Sequence, residues 1–258
     1  RKAPFQLQAY ERSTIPGERF HSDLKELSTA SHDGYKFAIC FVDDATRRGK
    51  AYPLKHKSDA LAAWVRFLEE EVLARGYTVK YFRSDNGGEF MGELNAFNRV
   101  RGIFAERSPP SCQSANGVAE VFWRETFKLV RSVLWDQQRS DKWWPVALDF
   151  ACHIRNHLLT SSVQHSPPEV LWPGHPVSVE HFQIPLSKCW AYRDKELRAD
   201  TLDHQRFEGV FVGYSTNSPC YKVLDQTSGT VYYRRYADVK FASSGAPADT
   251  KPQSALVD

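Results

Sequence analysis

Three carboxylates stand where chemistry could use them. Asp85 lies in Arg83-Ser84-Asp85-Asn86-Gly87-Gly88-Glu89-Phe90, directly after residues 78–82, whose Val79, Tyr81 and Phe82 suit a pleated, half-buried strand. The glycine pair breaks that pattern before residues 89–101 take up helical spacing. Asp85 is therefore expected at a strand's carboxyl end, where ligand crevices form in open α/β sheets. Taken alone, Asp-Asn-Gly-Gly is more often a plain turn, since Asp and Asn bond their own backbone and Gly accepts positive φ. Asp23 lies in the first strand-like run, Arg19-Phe20-His21-Ser22-Asp23-Leu24, and Glu120 in Asn116-Gly117-Val118-Ala119-Glu120, which opens a long helical pattern. Such a trio suits two-metal phosphoryl transfer: hard divalent cations need oxygen ligands, and a pair of them clamps the attacking and leaving oxygens of an in-line displacement. Spacing by itself proves little in a chain with 31 Asp and Glu residues.

The elements that must position these residues read, from 19 to 107, as strand, strand, strand, helix, strand, helix, strand. Residues 35–42 are dense in Phe, Ile and Val, and 50–54 are short. Ser58 is expected to cap a helix that runs to Arg75, with Ala62, Val65, Leu68, Glu69 and Val72 at helical intervals and Gly76 as its stop. Strands at 78–84 and 103–106 flank a helix at 89–101. Residues 108–115, with two prolines among small polar residues, form a loop. Asn116 then caps a two-faced helix: Val118, Phe122, Leu129 and Val133 make a core face, and Glu120, Arg124 and Arg131 lie opposite with Lys128 at the margin. The plain reading of Glu120 and Arg124 is an i,i+4 pair on a wet face. A metal site with a phosphate backbone across it needs the same arrangement.

Further along, 143–159 is a helix with an apolar stripe of Trp144, Ala147, Leu148, Ala151 and Ile154. Residues 161–186 are rich in proline and read as an extended connector, with at most a helical turn at 169–172. Five short strands, at 189–193, 207–214, 220–224, 230–234 and 238–241, suggest a small barrel. Residues 242–258 have the composition of a disordered tail.

Length and composition narrow the class. A chain of 258 residues, 41% apolar, can bury one sizeable core and a second small one. It has no run of 18 apolar residues and no charged-then-apolar leader, so neither a membrane span nor a secretory signal is expected. The first residue is Arg1, which suggests a fragment or processed product. Five cysteines without a Cys-x-x-Cys pair read as reduced thiols, and His21, His32 and His56 have no cysteine partners at zinc spacing. The net charge of +3 leaves any nucleic-acid surface to local clusters. Arg47, Arg48, Lys50, Lys55 and Lys57 form one cluster, with a solvated edge and DNA contact as equal readings.

The runs Phe20-His21-Ser22-Asp23-Leu24, Arg83 through Phe90 and Asn116 through Glu120 closely resemble the three acidic motifs of the integrase core in copia-type (Pseudoviridae) LTR retrotransposons. Gly34-Tyr35-Lys36-Phe37, Phe41-Val42-Asp43-Asp44-Ala45-Thr46-Arg47, Tyr52-Pro53-Leu54-Lys55, Pro167-Pro168-Glu169-Val170-Leu171-Trp172 and Gly209-Val210-Phe211-Val212-Gly213-Tyr214-Ser215 extend the match in the same order, over residues 2–241. The resemblance implies an α/β, RNase H-like core at 19–160 in which the strands of Asp23 and Asp85 are neighbours. It also implies an extension at 1–18, a connector at 161–186, an SH3-like carboxyl-terminal domain at 187–241 and a tail at 242–258.

The function the resemblance implies is that of a DDE-type integrase. Asp23, Asp85 and Glu120 would be the catalytic residues and hold two Mg²⁺ ions, with Mn²⁺ able to substitute. Strand transfer would join LTR cDNA 3′ ends to target DNA, and the same site would process those ends. Gln113, Asn116, Gly117, Arg124, Lys128 and Arg131 would contact DNA, with Lys222, Arg234 and Arg235 in the second domain. The implied partners are the LTR-end duplex, target DNA, further copies of the chain and a host chromatin tether. No membrane is implied, and the location is the nucleus after assembly in cytoplasmic virus-like particles. One departure stands out: the family often continues after the glutamate with Arg-Lys-Asn, whereas this chain reads Val121-Phe122-Trp123-Arg124. The family's amino-terminal zinc-binding domain falls outside these residues. The rival readings are a host-domesticated descendant that binds DNA or acts as a scaffold without catalysis, and a cellular RNase H-type nuclease.

Overall fold

Alternation of aromatic and β-branched residues with small ones builds a sheet that is apolar on both faces, and helices cover each face. A computed structural model describes residues 12–107, 116–163, 165–172, 181–194, 200, 204–215 and 218–242. The chain divides into two units, Arg1–Glu180 and His181–Asp258.

In the first unit β1 (Arg19–Glu26), β2 (Phe37–Asp43) and β3 (Gly49–Leu54) form an antiparallel meander. The helix α1 (Ala60–Phe67) follows. Ser58 does not cap it but lies inside a preceding 3₁₀ turn, Lys57–Asp59, whose N-cap is His56 and whose Asp59 carboxylate accepts from the His56 N–H at 2.9 Å. The expected single helix to Arg75 changes after Phe67 into a π turn at Leu68–Val72 and a 3₁₀ turn at Leu73–Arg75. Gly76 ends it at φ 74°, as its freedom to adopt positive φ predicts. Buried Glu71, in the wide turn, gathers Arg48 at 2.8 Å and Lys50 and Arg75 at 3.2 Å.

Next come β4 (Tyr81–Ser84), α2 (Gly88–Met91), α3 (Glu93–Val100) and β5 (Phe104–Arg107). One helix was expected at 89–101; it breaks at Gly92, whose φ of −88° and ψ of −119° leave the helical region. The long α4 (Gly117–Asp136), α5 (Trp144–His157) and the single turn α6 (Pro168–Leu171) complete the unit. The sheet order is β3-β2-β1-β4-β5, and β4 and β5 run parallel to β1 and to each other.

The two faces differ in side-chain size, and that difference decides how the helices pack. Phe20, Ile39, Phe41, Tyr52 and Leu54 meet Trp64, Phe67, Phe90 and Leu94 in an aromatic core. Burial of each large side chain contributes about 1.5–3 kcal/mol. The opposite face presents Ala38, Cys40, Gly49 and Ala51, all buried, and this lets α4 come close. A Cβ at Gly49 would run into the Phe122 ring. The Asn156 side chain on α5 brackets Gly49, accepting from its N–H at 3.0 Å and donating to its carbonyl at 2.9 Å.

Two expectations about connecting segments change. Residues 12–17 are tied to the core, where Ser13 N–H donates to Asp44 and Gly17 N–H to Asp43, both at 2.8 Å. The paired aspartates thus act as buried anchors. The start of the expected connector also docks: Trp172 joins the aromatic core, and Glu169 pairs with Arg48 at 2.7 Å.

The second unit is a five-stranded antiparallel sheet in the order β10-β6-β7-β8-β9. Its strands are β6 (Lys188–Tyr192), β7 (Arg206–Tyr214), β8 (Cys220–Asp225), β9 (Val231–Arg235) and β10 (Val239–Phe241). Cys189, Ala191, Phe207, Phe211, Tyr221, Val223 and Val239 form its core. The expected tail at 242–258 falls, after Ala242, outside the described residues.

Candidate active site

Asp23 and Asp85 are brought together by strand register. Arg19, Phe20 and His21 of β1 lie opposite Tyr81, Phe82 and Arg83 of β4. Two more residues along the same parallel register carry Asp23 alongside Asp85, just beyond the end of β4. The turn reading of Asp85 holds too, because its Oδ1 accepts from the Gly87 N–H at 3.0 Å and steers the chain toward α2. Asp85 is exposed and Asp23 is buried.

Glu120 is positioned by Asn116. This residue occupies the N-cap position of α4 but makes no capping bond. Its side-chain amide turns to the sheet and donates to the Ser22 carbonyl at 2.9 Å, a buried bond that ties the start of α4 to the residue before Asp23. Glu120 follows one helical turn later and is exposed.

The buried face of α4 comprises Ala119, Phe122, Trp123, Thr126, Val130, Val133 and Leu134. It is turned roughly 70° from the expected face at 100° per residue, so Val118 and Leu129 become marginal and Trp123 enters the core. Glu120, Arg124, Lys128 and Arg131 all remain exposed on the side away from the core.

The charge balance centres on Lys25, which sequence reasoning missed. Asp23 and Lys25 are two apart on β1 and share a face. Lys25 Nζ lies 2.9 Å from Asp23 Oδ2. Among the described residues this buried oxygen has no other donor, so Lys25 is what compensates it. Burial pushes the Asp23 carboxyl above its usual pKa and Asp85 adds to the rise, against the pull of Lys25. Burial works against the Lys25 ammonium, yet Asp23, Cys40 and Glu120 outweigh it and hold its pKa above the usual lysine value. Strand alternation was the available signal.

Three carboxylates, one of them buried against a lysine, are the donor chemistry of a hard divalent cation. They converge on one end of β1 and β4 but do not close into a cage. Among the described residues, no three His, Cys, Asp or Glu side chains stand close enough together to hold an ion.

The expected DNA contacts separate into distinct groups. Asn116 is 5% exposed and committed to Ser22, Gly117 is half-buried, and Gln113 lies outside the described residues. Arg124 and Lys128 share Glu125 at 3.1 and 3.3 Å on an open surface. The basic run 47–57 turns largely inward, because Arg47 pairs with Asp44 and Arg48 and Lys50 with Glu71. In the second unit, Arg234 and Arg235 face opposite sides of the sheet. Arg234 lies opposite core Tyr221, donating to the Tyr192 carbonyl at 2.6 Å and pairing with Asp194 at 2.8 Å. Arg235 points outward and is 80% exposed, on the same face as Lys222.

The chain is 30% identical over 94% of its length to the retrovirus-related Pol polyprotein from transposon TNT 1-94 of Nicotiana tabacum, of which it spans 18%. It is 29% identical over 91% of its length to the corresponding polyprotein from transposon RE1 of Arabidopsis thaliana, of which it spans 16%. The chain thus spans less than a fifth of these relatives. Residues 187–254 match the retroviral polymerase SH3-like domain. Among solved structures, the simian T-cell lymphotropic virus intasome in complex with the PP2A regulatory subunit B56 gamma aligns with a TM-score of 0.53 and 14% identity, covering 92% of this chain and 82% of that one. The HTLV-2 integrase catalytic core domain, determined in complex with magnesium in a trimeric form, aligns at 0.50 with 15% identity, covering 62% of this chain and 99% of that one. The fold is therefore an RNase H-like α/β core followed by an SH3-like domain. Sequence relatives, second domain and core fold agree: the homologues of this chain are plant retrotransposon Pol polyproteins, and it matches them in a region with the fold of an integrase core followed by an SH3-like domain.

Proposed function

We propose that the chain is the catalytic part of a polynucleotidyl transferase in which Asp23, Asp85 and Glu120 hold divalent metal and strand transfer joins LTR cDNA 3′ ends to target DNA. The observation that carries this reading is the convergence of the trio: Asp23 and Asp85 in parallel register, and the helix of Glu120 tied to β1 through Asn116 and Ser22. Two Mg²⁺ ions, or Mn²⁺ in their place, would supply Lewis-acid activation of the attacking oxygen and stabilise the leaving 3′-oxygen. The chain's own residues would do the rest. Asp23 and Asp85 anchor the site on the rigid sheet, and Glu120 completes it from a helix face open to DNA. The same carboxylates would serve 3′-end processing, with water as nucleophile.

Arg124, Lys128 and Arg131, with Lys222 and Arg235 on the second domain, would neutralise phosphates and carry little base readout. The assembly that acts would be a multimer of this chain on an LTR-end duplex, working in the nucleus. Support comes from neighbours described as an intasome and as a trimeric magnesium complex. A scaffold reading without catalysis draws on the absence of a closed carboxylate cage among the described residues.

Metal-dependent joining of a labelled LTR-end duplex to plasmid DNA separates the two. The parent joins and folded Asp85→Asn and Glu120→Gln proteins do not, if the trio is catalytic. Binding without joining by the parent, in Mg²⁺ and in Mn²⁺, would favour the scaffold.

A further inference from the structure

We infer that Lys25 is a resident counter-ion of the carboxylate site, standing beside Asp23 where a divalent cation would have to stand, so that metal loading requires the lysine to swing away. The inference rests on the reading of Asp23, Asp85 and Glu120 as metal ligands.

Four observations carry it. Strand alternation on β1 puts Lys25 on the face of Asp23, and its Nζ reaches Oδ2 at 2.9 Å. The ammonium sits at hydrogen-bonding distance from a buried oxygen that has no other donor among the described residues, so it occupies the lone pairs a stronger ligand would need. The two ends of the pair differ in exposure: the Asp23 side chain is 10% exposed and that of Lys25 44% exposed. The site as a whole calls for a cation, because Asp85 in parallel register with Asp23, and the Glu120 helix tied to β1 through Asn116, bring further carboxylates to the same end of the sheet.

An ammonium on a four-carbon stem is a mobile point charge, and it meets this need at low entropic cost. It cannot share the position with a dication. Metal binding must therefore overcome one ion pair and one like-charge repulsion, which lowers the apparent affinity and sets a threshold for loading. The alternative, a lysine that grips a phosphate of DNA, would leave metal affinity without DNA untouched.

The test is Mn²⁺ titration of the full chain without DNA, by calorimetry and by electron paramagnetic resonance. It compares parent, Lys25→Met, Lys25→Gln and Lys25→Arg proteins, with Asp85→Asn as the site control. Lys25→Met and Lys25→Gln are expected to bind Mn²⁺ about fivefold more tightly or better, and Lys25→Arg no more tightly than the parent. Without metal, the two neutral variants are also expected to melt below the parent, and to recover more than the parent does when Mg²⁺ is added. Unchanged or weaker Mn²⁺ binding by both neutral variants, with Asp85→Asn still weakening it, would overturn the counter-ion and leave the site intact. Mn²⁺ binding indifferent to Asp85→Asn would overturn the site reading itself, and the counter-ion with it.

Discussion

At Asn116 one side-chain amide decides where Glu120 stands. Replacing it with Ala leaves the buried Ser22 carbonyl without a donor, at a cost of about 1–3 kcal/mol. The expected outcome is a clear fall in melting temperature together with a loss of strand transfer that persists at temperatures where the variant is fully folded. Restored activity in the folded variant would separate Asn116 from the placement of Glu120. A second residue-scale prediction concerns His153, whose ring burial pushes its pKa down to about 4, with the neighbouring His157 adding to the effect. The folded protein keeps this ring neutral while the unfolded chain protonates near pH 6.5. Its contribution is therefore complete above about pH 6.5 and drains away as pH falls toward 4. Denaturant midpoints of parent and His153→Gln proteins, measured between pH 7 and 4, should show a shallower loss in the variant. Identical slopes would place the titration elsewhere.

At the scale of elements, close approach governs the helix face that carries Glu120. Phe122 packs over Gly49, and Asn156 holds that glycine from α5, so β3, α4 and α5 meet at a point with no room for a methyl group. Gly49→Ala is expected to destabilise by about 1–3 kcal/mol through overpacking, and Phe122→Ala by about 3–5 kcal/mol through the cavity it leaves. The two effects should not add, because removing the ring makes room for the methyl. A double mutant as unstable as the sum of the singles would show that the two residues do not share that space. The interrupted helix after α1 gives another case. Glu71 answers Arg48, Lys50 and Arg75 together, so Glu71→Gln leaves three cations undercompensated, each with its side chain less than 20% exposed. Chemical denaturation should register a loss of about 3–5 kcal/mol, the range for a broken buried pair.

The whole molecule is two units, each with its own core. Residues 181–258 produced alone are expected to give a dispersed amide spectrum and a cooperative melt, and a collapsed spectrum would make that core dependent on the first unit. DNA binding by the full chain is expected to weaken steeply with salt, since exposed Arg124, Lys128, Arg131 and Arg235 and half-buried Lys222 are spread over both units and the net charge is only +3. Each phosphate-neutralising residue should contribute about 0.9 to the logarithmic salt slope on duplex DNA. Arg235→Ala is expected to lower the slope where Arg234→Ala does not, because only Arg235 points to the open face.

The order of elements was legible from the chain alone, because it rests on local chemistry. Period-two runs gave β1 to β5 and the strands of the second unit, and Gly76 marked a helix end. The three acidic motifs were read through their resemblance to a known family, since the spacing of three carboxylates proves little by itself. What tertiary structure decided depended on residues far apart in the chain. The face of α4 was set by the small residues of β2 and β3, which no helical wheel contains. Asn116 became a tether and not a cap because the Ser22 carbonyl lay within reach. Arg47, Arg48 and Lys50 of the basic run turned to Asp44 and Glu71, whose burial requires compensating cations. Lys25 lies in the middle of the acidic site because a strand places every second residue on one face, and folding brings the charges of Asp85 and Glu120 to that face.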